Sequence, residues 1–158
     1  MNLYAFLPLK VVSKILIVFL KEKFMRKPLI LLVDTTVIYS GLVYRGLENK
    51  VLKSGNYIFI STEFTVAEIY RLLIIKRGLN KEETLKLIKS IPMIVVSYDF
   101  IKDKWKEADK LIGYRDKSDI PLIALALTLE NHDGIWSSDT DFEVVKDKIK
   151  LWKTKELL

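Results

Sequence analysis

The stretch LILLVD, Leu29 to Asp34, decides how this chain is read. Five consecutive aliphatic residues are too short a run for a typical helix, and they lack the polar alternation of a half-exposed strand. They predict a strand buried on both faces, the habit of parallel sheets covered by helices. A carboxylate then stands directly at the strand's carboxyl end. In open α/β sheets that edge is where ligands bind, so Asp34 is the first candidate functional residue.

Outward from this strand the same pattern repeats. Short apolar runs predict further strands over Tyr57 to Ser61, Met93 to Val96, Gly134 to Ser137 and Lys150 to Trp152. Helical periodicity fills the gaps. The clearest helices are predicted from Glu63 to Arg77 with Gly78 as the stop, from Lys81 to Ser90 with Asn80 and Glu83 as a capping box, and from Phe100 to Ile112 before Gly113. Another starts after Asp119. Apolar strands separated by helices give an α/β domain, a three-layer α/β/α sandwich around a mainly parallel sheet.

Three more acids occupy informative positions. Asp139 follows the fourth strand, Asp119 opens the apolar run Ile120 to Leu129, and Glu68 lies within the helix Glu63 to Arg77. Asp is a good N-cap, and for Asp34, Asp119 or Asp139 taken singly, helix capping is an adequate explanation. Glu68 resists it. On a helix it shares a face with Phe64, Leu72 and Ile75, the spacing of a buried stripe, where a carboxylate must be paired, for which Arg71 is available, protonated or bound to a metal. Carboxylates that converge repel one another unless a cation holds them ionised. Oxygen-only ligands select hard ions, so Mg²⁺ or Mn²⁺ is expected rather than zinc; the chain has no Cys, and its single histidine, His132, falls in a polar stretch that reads as surface. Such ions activate water and neutralise charge on phosphoryl groups, which makes phosphodiester hydrolysis the natural chemistry.

Composition favours an anionic partner such as nucleic acid or a membrane surface, with solubility alone as the competing reading. The 158 residues carry 26 Lys plus Arg against 20 Asp plus Glu, a net charge of +6. The absence of Cys excludes disulfide frameworks and thiolate chemistry and makes the cytoplasm the expected compartment. The absence of Gln beside abundant Lys and Glu is a composition found in proteins from hot environments. No glycine-rich phosphate loop or nucleophile elbow is present. A phosphatase of the haloacid dehalogenase type would need a second Asp two residues after the first, where Thr36 stands.

Residues 1–24 are read separately from the domain at 25–158. Leu3 to Leu20 is strongly apolar, but Lys10 and Lys14 oppose a membrane span, and no small-residue cleavage site marks a signal peptide. An N-terminal amphipathic helix packed on the domain or on a partner is expected, with Met25 as an alternative start, and no membrane association.

The segments LLVDTTVIYSGL, STEFTVAEIYRLL, DKSDIPLIALALTLE and IWSSDTDF, in this order, resemble the acidic motifs of the PIN-domain nucleases, which include the VapC-type toxins of toxin–antitoxin pairs. The resemblance runs from Leu29 to about Trp152. It implies a Rossmann-like sandwich and a Mg²⁺- or Mn²⁺-dependent ribonuclease whose catalytic and metal-binding residues match here as Asp34, Glu68, Asp119 and Asp139. Asp141 and Asp116 are further ligand candidates, each open also to a reading as a solvated loop charge. Thr36 and Ser138 would support the site. Arg45, Arg71, Arg115 and Lys117 are the candidates to follow RNA phosphates. The resemblance further implies RNA and an antitoxin protein as partners and pairing into a homodimer through the helices Glu63 to Arg77 and Lys81 to Ser90. The competing reading is a catalytically silent PIN-like module that only binds RNA or protein.

Overall fold

The computed structural model describes residues 27–158; the expected helix at residues 1–24 lies outside them. Five strands build one sheet: β1 (Leu29–Val33), β2 (Tyr57–Thr62), β3 (Met93–Val96), β4 (Ile135–Trp136) and β5 (Leu151–Trp152), in the order β3-β2-β1-β4-β5. Every pairing is parallel. The chain builds outward from β1 to β3 and then returns to the other side of β1 with β4. The strand order therefore reverses between β1 and β4, and the crevice at such a switch point is where this architecture places its ligands.

The helices follow from local sequence. They are α1 (Thr35–Val43), α2 (Leu47–Lys53), α3 (Glu63–Arg77), α4 (Lys81–Lys89), α5 (Tyr98–Ile101), α6 (Trp105–Ala108) and α7 (Ile120–Thr128). Thr62 caps α3 by accepting from the Thr65 N–H, and Gly78 ends it in the left-handed conformation, φ 65°. Asn80 and Glu83 close a reciprocal capping box on α4. One expected helix is broken. Instead of a single helix over Phe100 to Ile112 there are α5, a 3₁₀ turn at Lys102–Lys104, α6 and a π turn at Asp109–Gly113. Lys102, Asp103, Lys106 and Glu107 face solvent there, so little packing holds the stretch to one regular helix.

Alternation along β1 divides the core in two. Ile30 and Leu32 join Ile58, Ile60 and Ile135 under α7, whose Leu122, Ile123 and Leu125 are buried against them. Leu31 and Val33 join Phe59, Val95 and Trp136 under α1, α3 and α4 through Ile38, Ile69 and Ile88. Both faces are covered, which is why β1 reads as an unbroken apolar run. Strands β4 and β5 are shorter than expected, two residues each. Gly134, at φ 129°, enters β4 so close to the Lys150 carbonyl that a Cβ would collide with it.

Candidate metal-binding cleft

Four acids meet at the carboxyl edge of the sheet. A cleft of about 290 Å³ is lined by Asp34, Glu68, Asp119 and Asp139 together with Thr35, Thr36, Tyr39, Leu72, Lys76, Asp116 and Ser118. Asp34 follows β1, Asp139 follows β4 by way of Ser137 and Ser138, Asp119 precedes α7, and Glu68 reaches in from α3. The sheet's switch point supplies the first two, and helices from its opposite faces supply the others.

Asp34 is held by hydroxyls. It occupies the N-cap position of α1 without a side-chain capping bond. Its Oδ2 instead accepts from Thr36 Oγ1 and from Ser137 Oγ, each at 2.7 Å. The same hydroxyls tie down the loop after β4: Thr36 Oγ1 accepts from the Ser138 N–H at 3.3 Å and Ser137 Oγ from the Asp139 N–H at 2.9 Å. Burial raises the Asp34 pKa, while the hydroxyls of Thr36 and Ser137 and the nearby N–H groups of Thr35 and Thr36 oppose the rise.

Asp119 has no such support. It is 6% exposed, makes no capping bond to α7, and its Oδ2 is buried with no hydrogen-bond partner. Desolvation, followed by the charges of Asp34, Asp139, Asp116 and Asp141, pushes its pKa up to about 8. Capping thus accounts for neither Asp34 nor Asp119. It does describe Asp139, whose Oδ1 accepts from the Asp141 N–H at 2.8 Å, and Asp116, whose Oδ1 takes the N–H and hydroxyl of Ser118.

Asp116 and Asp141 are close companions of Asp119. One oxygen from each of Asp116, Asp119 and Asp141 lies within 4.8 Å of the others. Asp141 is not part of the cleft lining and is paired with Arg115 at 3.3 Å. Glu68 is placed differently from the sequence expectation. Its helix face is not buried: Phe64 is 38% and Ile75 73% exposed, whereas Val66, Ile69 and Leu73 pack on the sheet. No ion pair joins Glu68 to Arg71 among the described residues. Glu68 Oε2 instead accepts from Thr35 Oγ1 at 2.7 Å, at the rim of the cleft.

Sequence reasoning missed several residues. Ser137, not Ser138, supplies the hydroxyl on Asp34; Ser138 is exposed and contributes only its N–H. Thr35 positions Glu68, and Lys76 is the cation that lines the cleft itself. The helical spacing of Lys76 from Glu68 and Leu72 was the available signal for the last of these. Arg71 and Lys117 line an adjoining cavity. Arg45 is remote, bordering a cavity with Lys53, Ile91 and Pro92 at the sheet's amino edge. His132 is half-buried, not a surface residue: its Nε2 lies 3.0 Å from the Ala126 carbonyl and its Nδ1 accepts from the Gly134 N–H at 3.0 Å. Burial lowers its pKa.

The fold and the cleft define an α/β protein with clustered carboxylates at its topological switch point. By sequence the chain belongs to the PIN domain family, which it matches over residues 32–158. Among solved structures it resembles the crystal structure of Mycobacterium tuberculosis VapC20, a sarcin-ricin loop cleaving toxin, with a TM-score of 0.56 and 16% identity over 73% of this chain and 94% of that one. At that identity the likeness establishes the fold. No curated protein matches the sequence. Among the described residues no helix is long and apolar enough to cross a membrane.

Proposed function

We propose that this protein is a divalent-metal-dependent endoribonuclease, with the domain at residues 25–158 carrying the activity. The observation that carries the reading is the buried, unpartnered Oδ2 of Asp119. A carboxylate in that position is either neutral or held by a cation, and four further carboxylates around it supply only oxygen ligands, the donor set of Mg²⁺ or Mn²⁺. Asp34, Asp119 and Asp139 would hold the metal, with Asp116 and Asp141 beside them and Glu68 at the rim. Such an ion activates water and neutralises charge on the phosphoryl group.

The chain's own residues do the positioning. Thr36 and Ser137 hold Asp34 by one oxygen, Oδ2, and so orient the carboxylate. Thr35 does the same for Glu68. Lys76, Arg71 and Lys117 flank the acids and suit the phosphates on either side of the scissile bond. The fold shared with a toxin and the family membership favour RNA as substrate and the toxin of a toxin–antitoxin pair as the role. The exposed apolar residues of α3, Ile75 foremost, suit contact with an antitoxin or a second copy.

Incubating the purified protein with labelled single-stranded and structured RNA in Mg²⁺, Mn²⁺ or EDTA tests the proposal. Cleavage in the metals and none in EDTA is expected. RNA binding without cleavage under every condition would overturn it in favour of a silent binding module.

A further inference from the structure

Beside the acidic cleft, and sharing Glu68 and Ser118 with it, lies a second cavity of about 460 Å³ whose walls include Phe64, Trp105, Arg71 and Lys117. Its walls are of another kind. Phe64 and Trp105 have ring centroids 5.4 Å apart, and Tyr98 braces both from outside, at 6.2 Å from Phe64 and 5.5 Å from Trp105 in edge-on contacts. Phe64 is 38% exposed although it packs against two other rings. Arg71 and Lys117 stand on the same walls, and neither side chain has an ion pair among the described residues.

One helix face joins the two cavities. Phe64, Glu68, Leu72 and Lys76 recur every four residues along α3; the first two line the aromatic cavity, and the last three line the acidic cleft. The face spans about 18 Å from Phe64 to Lys76. It presents, in order, an aromatic ring, a carboxylate, an aliphatic chain and an ammonium group.

We propose that the aromatic cavity is a base-stacking subsite for an unpaired nucleotide of RNA, adjoining the phosphate that occupies the acidic cleft. The proposal rests on the nuclease reading for the neighbouring phosphate. Phe64 and Trp105, tilted 51° to one another, each offer a π-face to the cavity, and the edge-on contacts of Tyr98 brace both rings. Arg71 and Lys117 are placed for the flanking phosphates, and their charge matches an RNA backbone. A base in a duplex is stacked and paired and does not reach such a cavity, so the subsite selects single strands, loops and bulges.

Binding of a short fluorescent RNA strand to the full-length protein, followed by anisotropy with EDTA present, reads the subsite without any need for catalysis. Three ligands are compared: the single strand, the same strand with abasic nucleotides throughout, and a duplex. The wild-type protein is expected to bind the single strand on the order of ten-fold more tightly than the abasic strand, and the duplex more weakly than the single strand. Trp105→Ala and Phe64→Ala should erase the preference for bases and keep the salt dependence. Arg71→Ala with Lys117→Ala should do the reverse. Trp105→Phe retains a stacking face and should retain most of the preference, so it serves if the alanine variants fail to fold. Equal binding of abasic and normal strands by the wild-type protein, or no RNA binding, overturns the subsite. Base-dependent binding without cleavage in Mn²⁺ would overturn the nuclease reading and leave the subsite standing.

Discussion

Asp34 and Asp119 stand across one cleft and are solvated by the protein in opposite ways. Both are buried, at 7% and 6% exposure, and both have raised pKa values. Asp34 has two hydroxyls on one oxygen. Asp119 has a buried oxygen with no partner and four acids close enough to raise its pKa. The fold therefore supplies Asp34 Oδ2 with hydrogen bonds from its own residues and supplies Asp119 Oδ2 with none. An unsatisfied buried acceptor costs about 1–3 kcal/mol, more when charged, and on the proposed reading a divalent cation offsets that cost.

The contrast breaks most decisively at Asp119. Asp119→Asn should reduce metal-dependent RNA cleavage by more than about 100-fold, beyond the effect usual for a residue that only supports a ligand. The same variant, melted in EDTA near neutral pH, should be at least as stable as wild type, because folding no longer has to place a proton on a carboxyl that is ionised in the unfolded chain. Undiminished, EDTA-sensitive cleavage by Asp119→Asn would falsify its assignment as a ligand.

On the other side of the cleft, Ser137→Ala removes a hydroxyl from Asp34 and the acceptor for the Asp139 N–H together. Cleavage should fall by about 10- to 100-fold, and unlike Asp119→Asn the variant should lose about 1–3 kcal/mol of stability in EDTA. If urea titrations show Ser137→Ala stabilised and Asp119→Asn destabilised, the two sides of the cleft have been assigned the wrong way round.

The pH dependence of the metal-free protein sharpens the same comparison. Unfolded, Asp119 releases its proton near pH 3.8; folded, it keeps it to about 8. Across that window the folded state holds the extra proton, so the contribution of Asp119 to stability is full below pH 3.8 and is lost as pH rises toward 8. His132 acts in the other sense, since its lowered pKa disfavours the folded state as pH falls below its ordinary value of 6.5. Subtracting the Asp119→Asn profile from wild type isolates Asp119. The difference should slope downward with pH in EDTA and flatten with saturating Mn²⁺, and a flat difference in EDTA would show that Asp119 is ionised without metal.

The smallest effect is expected at Arg115. Its pair with Asp141 is partly exposed, 45% and 31% for the two side chains, so Arg115→Ala should change stability by less than about 1 kcal/mol. A larger loss would mean that Arg115, rather than a metal, neutralises the acid cluster in the resting protein.

Much of this was legible in the chain. LILLV and MIVV are strands with the predicted bounds, and the helix over Glu63–Arg77 begins and ends at its cap and its glycine. These elements are set by local periodicity and end signals, which a sequence displays directly. The helix expected over Phe100 to Ile112 failed where that local signal weakened into a run of exposed charges. The face carrying Glu68 was misjudged for a related reason. Periodicity identifies an apolar stripe, but it does not say whether the stripe meets the sheet or the rim of a cleft, and α3 turns Val66, Ile69 and Leu73 inward instead.

The sequence by itself determined the strands, the carboxylates at their ends and the type of sheet that would bring those ends to one edge. Only the tertiary structure decided which acids are satisfied and which are not. The hydroxyl on Asp34 comes from Ser137, 103 residues away, and the hydroxyl on Glu68 from Thr35, 33 residues away. Neither pairing has a local signature. The isolation of Asp119 Oδ2 is likewise a property of the assembled fold: Asp116 is a neighbour in the chain, but the burial and the charges of Asp34, Asp139 and Asp141 arrive only where β1, β4 and the start of α7 converge.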